Sequence, residues 1–578
     1  AFIGLGGPYR NDVNGDYLLD GNDPINTEAQ GFVIDDFDFG LAILTPKKSS
    51  LLSHPELFKK SYTSIKATAN QVGFVGFGDD FKMELNNLEV GVNISSGGLL
   101  PGFTTIDWAS SFPSPDSGVT PAGFAVNTGG VPVYLDFEGR QISATTDAAI
   151  LQISEFVHVS GSFAFEKGDD VAVIVDTPLG AFSDVPVPMQ VMTIGARDVS
   201  AFVGSGGPYR QDADGNLRLD ESDPINADAT GLVIDNLDLG IAILRPSVAG
   251  QSFGSSFYAM SATASTVGLV GIDDFKLEAR DVAISVNKSG TPGFAVDFGA
   301  SFPAINDGKV GYPVRTGTTT EAIYLAETEE VVKASISAGI LEISEFVHLS
   351  GSFAFEQGTS QLVNLDGTTG IGNSTGVEMS FMTIGASNVS AFIGVGGPYR
   401  EDTNKDYLLD TNDTINESAK GFIVDDLDLG LVIAQPTEVG LLEHPLLAPE
   451  IFGKRYTALT ATANQIGFVG FGDDFKLEAH DLTVGVNISS GGLLPGRTTI
   501  DWASSFPVNA DNASVGYKVN TGTGTTPVNL DFDDKIMSAS TSAAILEISE
   551  YVHISGSFAF EKGSTIAVNV DEDQLGTA

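Results

Sequence analysis

The pentapeptide Gly-Gly-Pro-Tyr-Arg occurs three times in this chain of 578 residues, at 6–10, 206–210 and 396–400. Each copy opens a block whose later segments recur in the same order, with a period of about 190–200 residues. Whatever fold one block adopts, the other two must adopt as well. The blocks run 1–200, 201–390 and 391–578, the last one lacking the segment seen at 192–195 and 382–385. No Ser/Pro-rich or charged linker divides them, since Val199 to Val203 leads straight into the pentapeptide. That join predicts units stacked rigidly, not beads on a flexible string. The opening Ala1-Phe2-Ile3-Gly4 matches Ala201-Phe202-Val203-Gly204 and Ala391-Phe392-Ile393-Gly394, which are preceded by further strand residues. The expectation is a piece of a longer chain.

Within each block the apolar residues alternate with polar ones, the period of a strand with one buried face. Leu151, Ile153, Val157, Val159, Phe163 and Phe165 are interleaved with Gln152, Ser154, His158, Ser160 and Ser162. The equivalents lie at 341–355 and 546–560. No long segment carries a helical period. Several alternating runs pass through a small polar corner, such as Asn236-Leu237-Asp238 or Ala279-Arg280-Asp281. These features predict an all-β chain built as a β-solenoid-like stack of bent strand rungs. The alternative is three β-sandwich or jelly-roll domains in tandem. Loops of uneven length interrupt the strands, at 47–60 with a short helix near His54 to Phe58, and at 95–102 and 489–496. Variable loops between persistent strands belong on the surface.

After each pentapeptide comes an acidic loop. Oxygen-bearing side chains stand at loop positions 1, 3, 5, 9 and 12: Asp12, Asn14, Asp16, Asp20 and Asp23; then Asp212, Asp214, Asn216, Asp220 and Asp223; then Asp402, Asn404, Asp406, Asp410 and Asp413. Position 7, occupied by Leu18, Arg218 or Leu408, would add a backbone carbonyl. Oxygen-only ligands at this spacing suit a hard cation, and flexible spacing favours Ca²⁺ over Zn²⁺ or copper. Leu19, Leu219 and Leu409 at position 8 are placed to anchor the loop.

This spacing resembles the calcium loop shared by EF-hands, dockerins and thrombospondin type-3 repeats. The resemblance covers the 12 loop residues of each block. Two positions depart from it. Position 6 is Tyr17, Leu217 or Tyr407 where an EF-hand has Gly, and position 12 is Asp in place of a bidentate Glu. The three-block layout, together with these loops, also resembles the repeat regions of large bacterial calcium-dependent adhesins. That resemblance implies export to the cell surface, stiffening by calcium and a scaffold or adhesive role toward a surface glycan or protein.

Charge narrows the partners. Asp and Glu number 75 against 29 Lys and Arg, a formal charge of -46. Such a surface repels nucleic acid and anionic lipid. No run approaches the length of about 18 apolar residues that a membrane-spanning helix needs. Cysteine is absent, which excludes disulfides, thiolate metal sites and Cys nucleophiles.

Other constellations are weaker. The paired acids Asp79-Asp80, Asp273-Asp274 and Asp473-Asp474 could serve glycoside hydrolysis, but each sits where a turn is expected. His158, His348 and His553 have no second metal ligand nearby in sequence. Ser160-Gly161-Ser162 lies inside a strand and lacks the nucleophile-elbow pattern. Tyr9-Arg10 and its copies read best as packing that holds the acidic loop. The expectation is therefore a non-enzymatic, calcium-stabilised extracellular scaffold or adhesin segment, with neighbouring repeats as its partners. A self-assembling filament or sheath subunit and a polysaccharide-acting β-helix enzyme are the alternatives.

Overall fold

The fold is described from a computed structural model. It describes residues 1–578 apart from 48–49, 53, 99–104, 116–119, 178–184, 248–255, 305–307, 367–373, 495–498, 508–514, 565–567 and 569–578. The inner parts of the loops at 95–102 and 489–496 thus lie outside the described residues. The protein is all-β, with only short helical turns, and it divides into two compact units, Ala1–Ala334 and Ser335–Ala578.

In the first unit the long strands form an antiparallel meander. Phe2–Leu5 pairs with Gln30–Leu44, which pairs in turn with Lys60–Val75, Phe81–Gly97 following. The pairing continues through Gln141–Ile153, Val157–Asp176, Val187–Ser205, Thr230–Pro246, Phe257–Val270 and Phe275–Ser289. The second unit repeats the pattern from Val347–Asp366 through Ser374–Val395, Lys420–Pro436, Lys454–Val469, Phe475–Gly491 and Ile536–Ile548 to Val552–Lys562.

The solenoid expectation is corrected here. Solenoid rungs coil in one sense, whereas these strands reverse at links as short as that between Ile153 and Val157. A link of that length can join only antiparallel neighbours. The first repeat does not close off a sandwich of its own either. Its strand Val157–Asp176 pairs with Val187–Ser205, which runs on into the second repeat.

The predicted corners are bends within single strands. Asp198, Asn236 and Asp281 in the first unit, and Asn388, Asp426 and Asp481 in the second, take positive φ between 45° and 55°. Asn and Asp tolerate this left-handed conformation better than other side chains with a Cβ. At each bend one or two residues drop out of the ladder and the strand turns.

One end of each sheet curls over an apolar core. In the first unit the short strand Ala295–Asp297 pairs back onto Ile174, Val175 and Asp176. The side chains so enclosed include Val173, Val175, Met189, Leu244, Phe257, Val296 and Phe298. In the second unit Thr499–Asp501 returns to Asn364, Leu365 and Asp366 over Phe381, Tyr456 and Trp502. Burying a side chain of this size stabilises by roughly 1.5–3 kcal/mol each. The curl therefore anchors the remaining, more exposed half of the strands. Short helical segments sit beside these cores; the short helix expected near His54 to Phe58 is present as the single turn Pro55–Leu57, and a further turn lies at Ser50–Leu52.

Candidate cation loops and their seats

The acidic loops share one backbone design. The position-1 carboxylate of Asp12 accepts from the N–H groups of Gly15 and Tyr17, at 2.6 and 3.1 Å. Asp402 does the same for Lys405 and Tyr407, and Asp212 accepts from Leu217. At position 3, Asn14, Asp214 and Asn404 each accept from the N–H two residues on. At position 5, Asp16, Asn216 and Asp406 accept from the N–H of Leu18, Arg218 and Leu408. At position 9, Asp20, Asp220 and Asp410 turn the chain by accepting from Asn22, Ser222 and Asn412. At position 12, Asp23, Asp223 and Asp413 are buried and close the loop onto the N–H of Val13, Ala213 and Thr403.

Position 6 was the main departure from the EF-hand pattern. Tyr17, Leu217 and Tyr407 nevertheless adopt φ of 67°, 64° and 67°, the left-handed turn that Gly normally supplies. The bent conformation costs about 1–2 kcal/mol at a residue with a Cβ. The short Asx hydrogen bonds around it hold the bend. The missing glycine therefore does not prevent the turn.

Carboxylates converge most closely in the second copy. Oxygens of Asp212, Asp214 and Asp223 lie within 4.8 Å of one another, the one such group among the described residues. Asp212 Oδ1 is buried there without a hydrogen-bond partner, and Asp23 Oδ2 is likewise in the first copy. Such orphaned acceptors are the donor set a hard cation would complete. In the first and third copies position 3 is an amide, and Asn14 and Asn404 turn their Nδ2 groups to donate to Asp16 and Asp406. The position-9 carboxylates serve the following turn and do not join the cluster. The Arg218 side chain is spent on Asp198 Oδ2 and the Asp147 carbonyl.

Each pentapeptide binds its loop to the sheet. Arg10, Arg210 and Arg400 form ion pairs with Asp35, Asp235 and Asp425 and donate to the carbonyls of Asp23, Asp223 and Asp413. Tyr9 donates to Gln71 Oε1 at 2.8 Å. Asn26, Asn226 and Asn416 clamp the carbonyls on either side of the cis Gly–Pro peptide. The expected packing role of Tyr and Arg is what the structure displays.

The second and third loops also have a seat on the strand of the preceding repeat. Leu219 N–H donates to Ser160 Oγ and Leu409 N–H to Ser350 Oγ, both at 2.9 Å. Leu219 and Leu409 are buried, while Leu19 of the first loop is 49% exposed. His158 and His348 pack beneath these loops against Phe202 and Phe392, and burial pushes both imidazoles below their ordinary value. They are packed residues, and no group of three metal-ligating side chains includes them among the described residues. The paired acids sit in turns, as at Gly78–Asp80 and Gly472–Asp474, where the Asp80 and Asp474 carbonyls accept from Ser154 and Ser549.

Sequence reasoning found the loops and missed the seats. Ser160 and Leu219 are 59 residues apart, and nothing local marks their contact. Comparison with protein-family models and with the curated proteins finds no match to this chain.

Proposed function

We infer that this chain is a non-enzymatic, calcium-stabilised structural segment of an extracellular surface protein, an adhesin-like scaffold built of tandem repeats. The observation that carries the reading is the seated acidic loop. Its oxygens accept from loop N–H groups in a closely similar pattern in all three copies, and in the second and third copies it is fixed to the strand of the preceding repeat. Calcium bound within such a loop would offset the repulsion among its carboxylates and stabilise the joint between repeats. The strongly acidic surface suits a calcium-rich setting outside the cell. The acid pairs stand in turns and His158 and His348 are packed, which favours a non-catalytic role.

The test is calorimetric titration of chelator-treated protein with Ca²⁺, paired with melting curves. Saturable binding and a higher Tm are expected, the second loop binding most tightly. No binding at millimolar Ca²⁺ would reduce the loops to hydrogen-bonded turns.

A further inference from the structure

Asn14-Gly15 in the first acidic loop is the one Asn-Gly pair in the 578 residues. At these positions the second loop has Asp214-Gly215 and the third has Asn404-Lys405. In an Asn-Gly pair the next backbone nitrogen can attack the asparagine's own side-chain carbonyl, because glycine has no Cβ to hinder a close approach.

The loop brings the reacting groups together. Asn14 Oδ1 accepts from the Asp16 N–H at 2.9 Å, which folds the side-chain amide back along the Gly15 peptide. Asn14 Nδ2, the leaving group, donates to Asp16 Oδ2 at 3.0 Å. The Gly15 N–H, the nucleophile, donates to Asp12 Oδ1 at 2.6 Å, within reach of a carboxylate acting as general base. Asn14 and Gly15 are both exposed, and a Cβ built on Gly15 would meet nothing within 4 Å, so water has free access. The third loop has the same frame, for Asn404 Oδ1 accepts from Asp406 and the Lys405 N–H donates to Asp402 Oδ1 at 2.7 Å. There the attacking nitrogen belongs to a residue with a long side chain.

We propose that Asn14-Gly15 is a self-modifying site, at which the first loop converts its amide into a carboxylate. Gly15 N bonds to Asn14 Cγ and passes its proton to Asp12 Oδ1. The Cγ–Nδ2 bond breaks, and Nδ2 takes up that proton and leaves as ammonia. Nothing is oxidised or reduced. Water then opens the resulting succinimide at either carbonyl, giving aspartate or isoaspartate. The aspartate product reproduces the Asp-Gly pair of the second loop. It adds a charge to a loop in which the buried Asp23 Oδ2 already lacks a partner. The benefit to cation binding rests on the calcium reading of the loop; the conversion itself does not.

The full chain, stripped of metal by chelator and held in mildly alkaline buffer, supplies the test. Samples are cut by pepsin in acid, and mass spectrometry follows the peptides that hold Asn14 and Asn404. The Asn14 peptide should gain the mass of OH for NH₂, as both aspartate and isoaspartate. Asn404 should convert at least about tenfold more slowly, the effect of about 1.4 kcal/mol on a barrier. Gly15→Lys installs the third-loop residue, which holds a φ of 64° there, and should slow Asn14 to the same extent. An Asn14 that stays an amide would overturn the proposal, as would equal rates at Asn14 and Asn404, or conversion undiminished in Gly15→Lys. Aspartate without isoaspartate would show direct hydrolysis and overturn it too. Added Ca²⁺ should slow the conversion by engaging Asp12 and Asn14 Oδ1. Conversion that proceeds at a rate indifferent to Ca²⁺ would sink the calcium reading of this loop and uphold the modification.

Discussion

Replacing Arg400 by Met tests how the acidic loop is tied to the sheet. Arg400 donates from Nε and Nη2 to the two oxygens of Asp425, both at 2.7 Å, and from Nη1 to the Asp413 carbonyl at 3.2 Å. The two side chains are 9% and 1% exposed, the most buried of the three equivalent pairs. Met fills much of the same volume and removes all three donors. Asp425 would keep only the 3.3 Å contact from Asn464, with its charge still buried. Removing one partner of a buried pair typically costs about 3–5 kcal/mol. With a urea dependence of about 2–3 kcal/mol per molar, the midpoint should fall by roughly 1–2 M. Trp502 lies in the same unit and reports its unfolding by fluorescence. Arg400→Met combined with Asp425→Leu removes both charges and should recover most of the loss, because an apolar pair needs no ionic partner. A single substitution costing under about 1 kcal/mol, or a double variant no better than the single, would refute the assignment of this pair as the loop's anchor.

Three other outcomes are expected. Burial holds His158 and His348 below their ordinary value of 6.5, so their contribution to stability is complete above that pH and is lost as pH falls through the lower folded value; His348→Gln should flatten the Tm profile of the second unit in that window. Asp223→Asn keeps the shape of the buried loop closure but removes a charge from the tightest carboxylate group, so scanning calorimetry should show a smaller calcium-induced rise in Tm than the unaltered chain gives. Gly385→Ala would place a Cβ 1.9 Å from the Asn520 carbonyl oxygen, an overlap that should cost about 1–3 kcal/mol or more in urea unfolding, while Gly453→Ala, where a Cβ meets nothing within 4 Å, should cost less.

Alternation reveals which face of a strand is buried, and on that basis the strands and their polar corners could be read directly from residues such as Asn236 and Asp281. It does not reveal which strand lies alongside. The mistaken rungs came from that gap, although the short link between Ile153 and Val157 was a usable sign of antiparallel pairing. The loops were legible because their oxygens repeat at fixed spacing. Their left-handed position 6 was not, since Tyr17 and Leu217 carry no local sign of that conformation. The seat on Ser160 and Ser350 depends on residues far apart in the chain.

The short strand Ala295–Asp297 carries a kinetic consequence. Most pairings in the meander join strands adjacent in sequence, so each can form as soon as its hairpin does, with little chain entropy lost. The bond set from Ala295–Asp297 to residues 174–176 is different, for it spans four intervening long strands. It can close only after those strands are in register. It thus behaves as a latch on the order of events: formed late, it converts a string of hairpins that could peel one by one into a block that must open together.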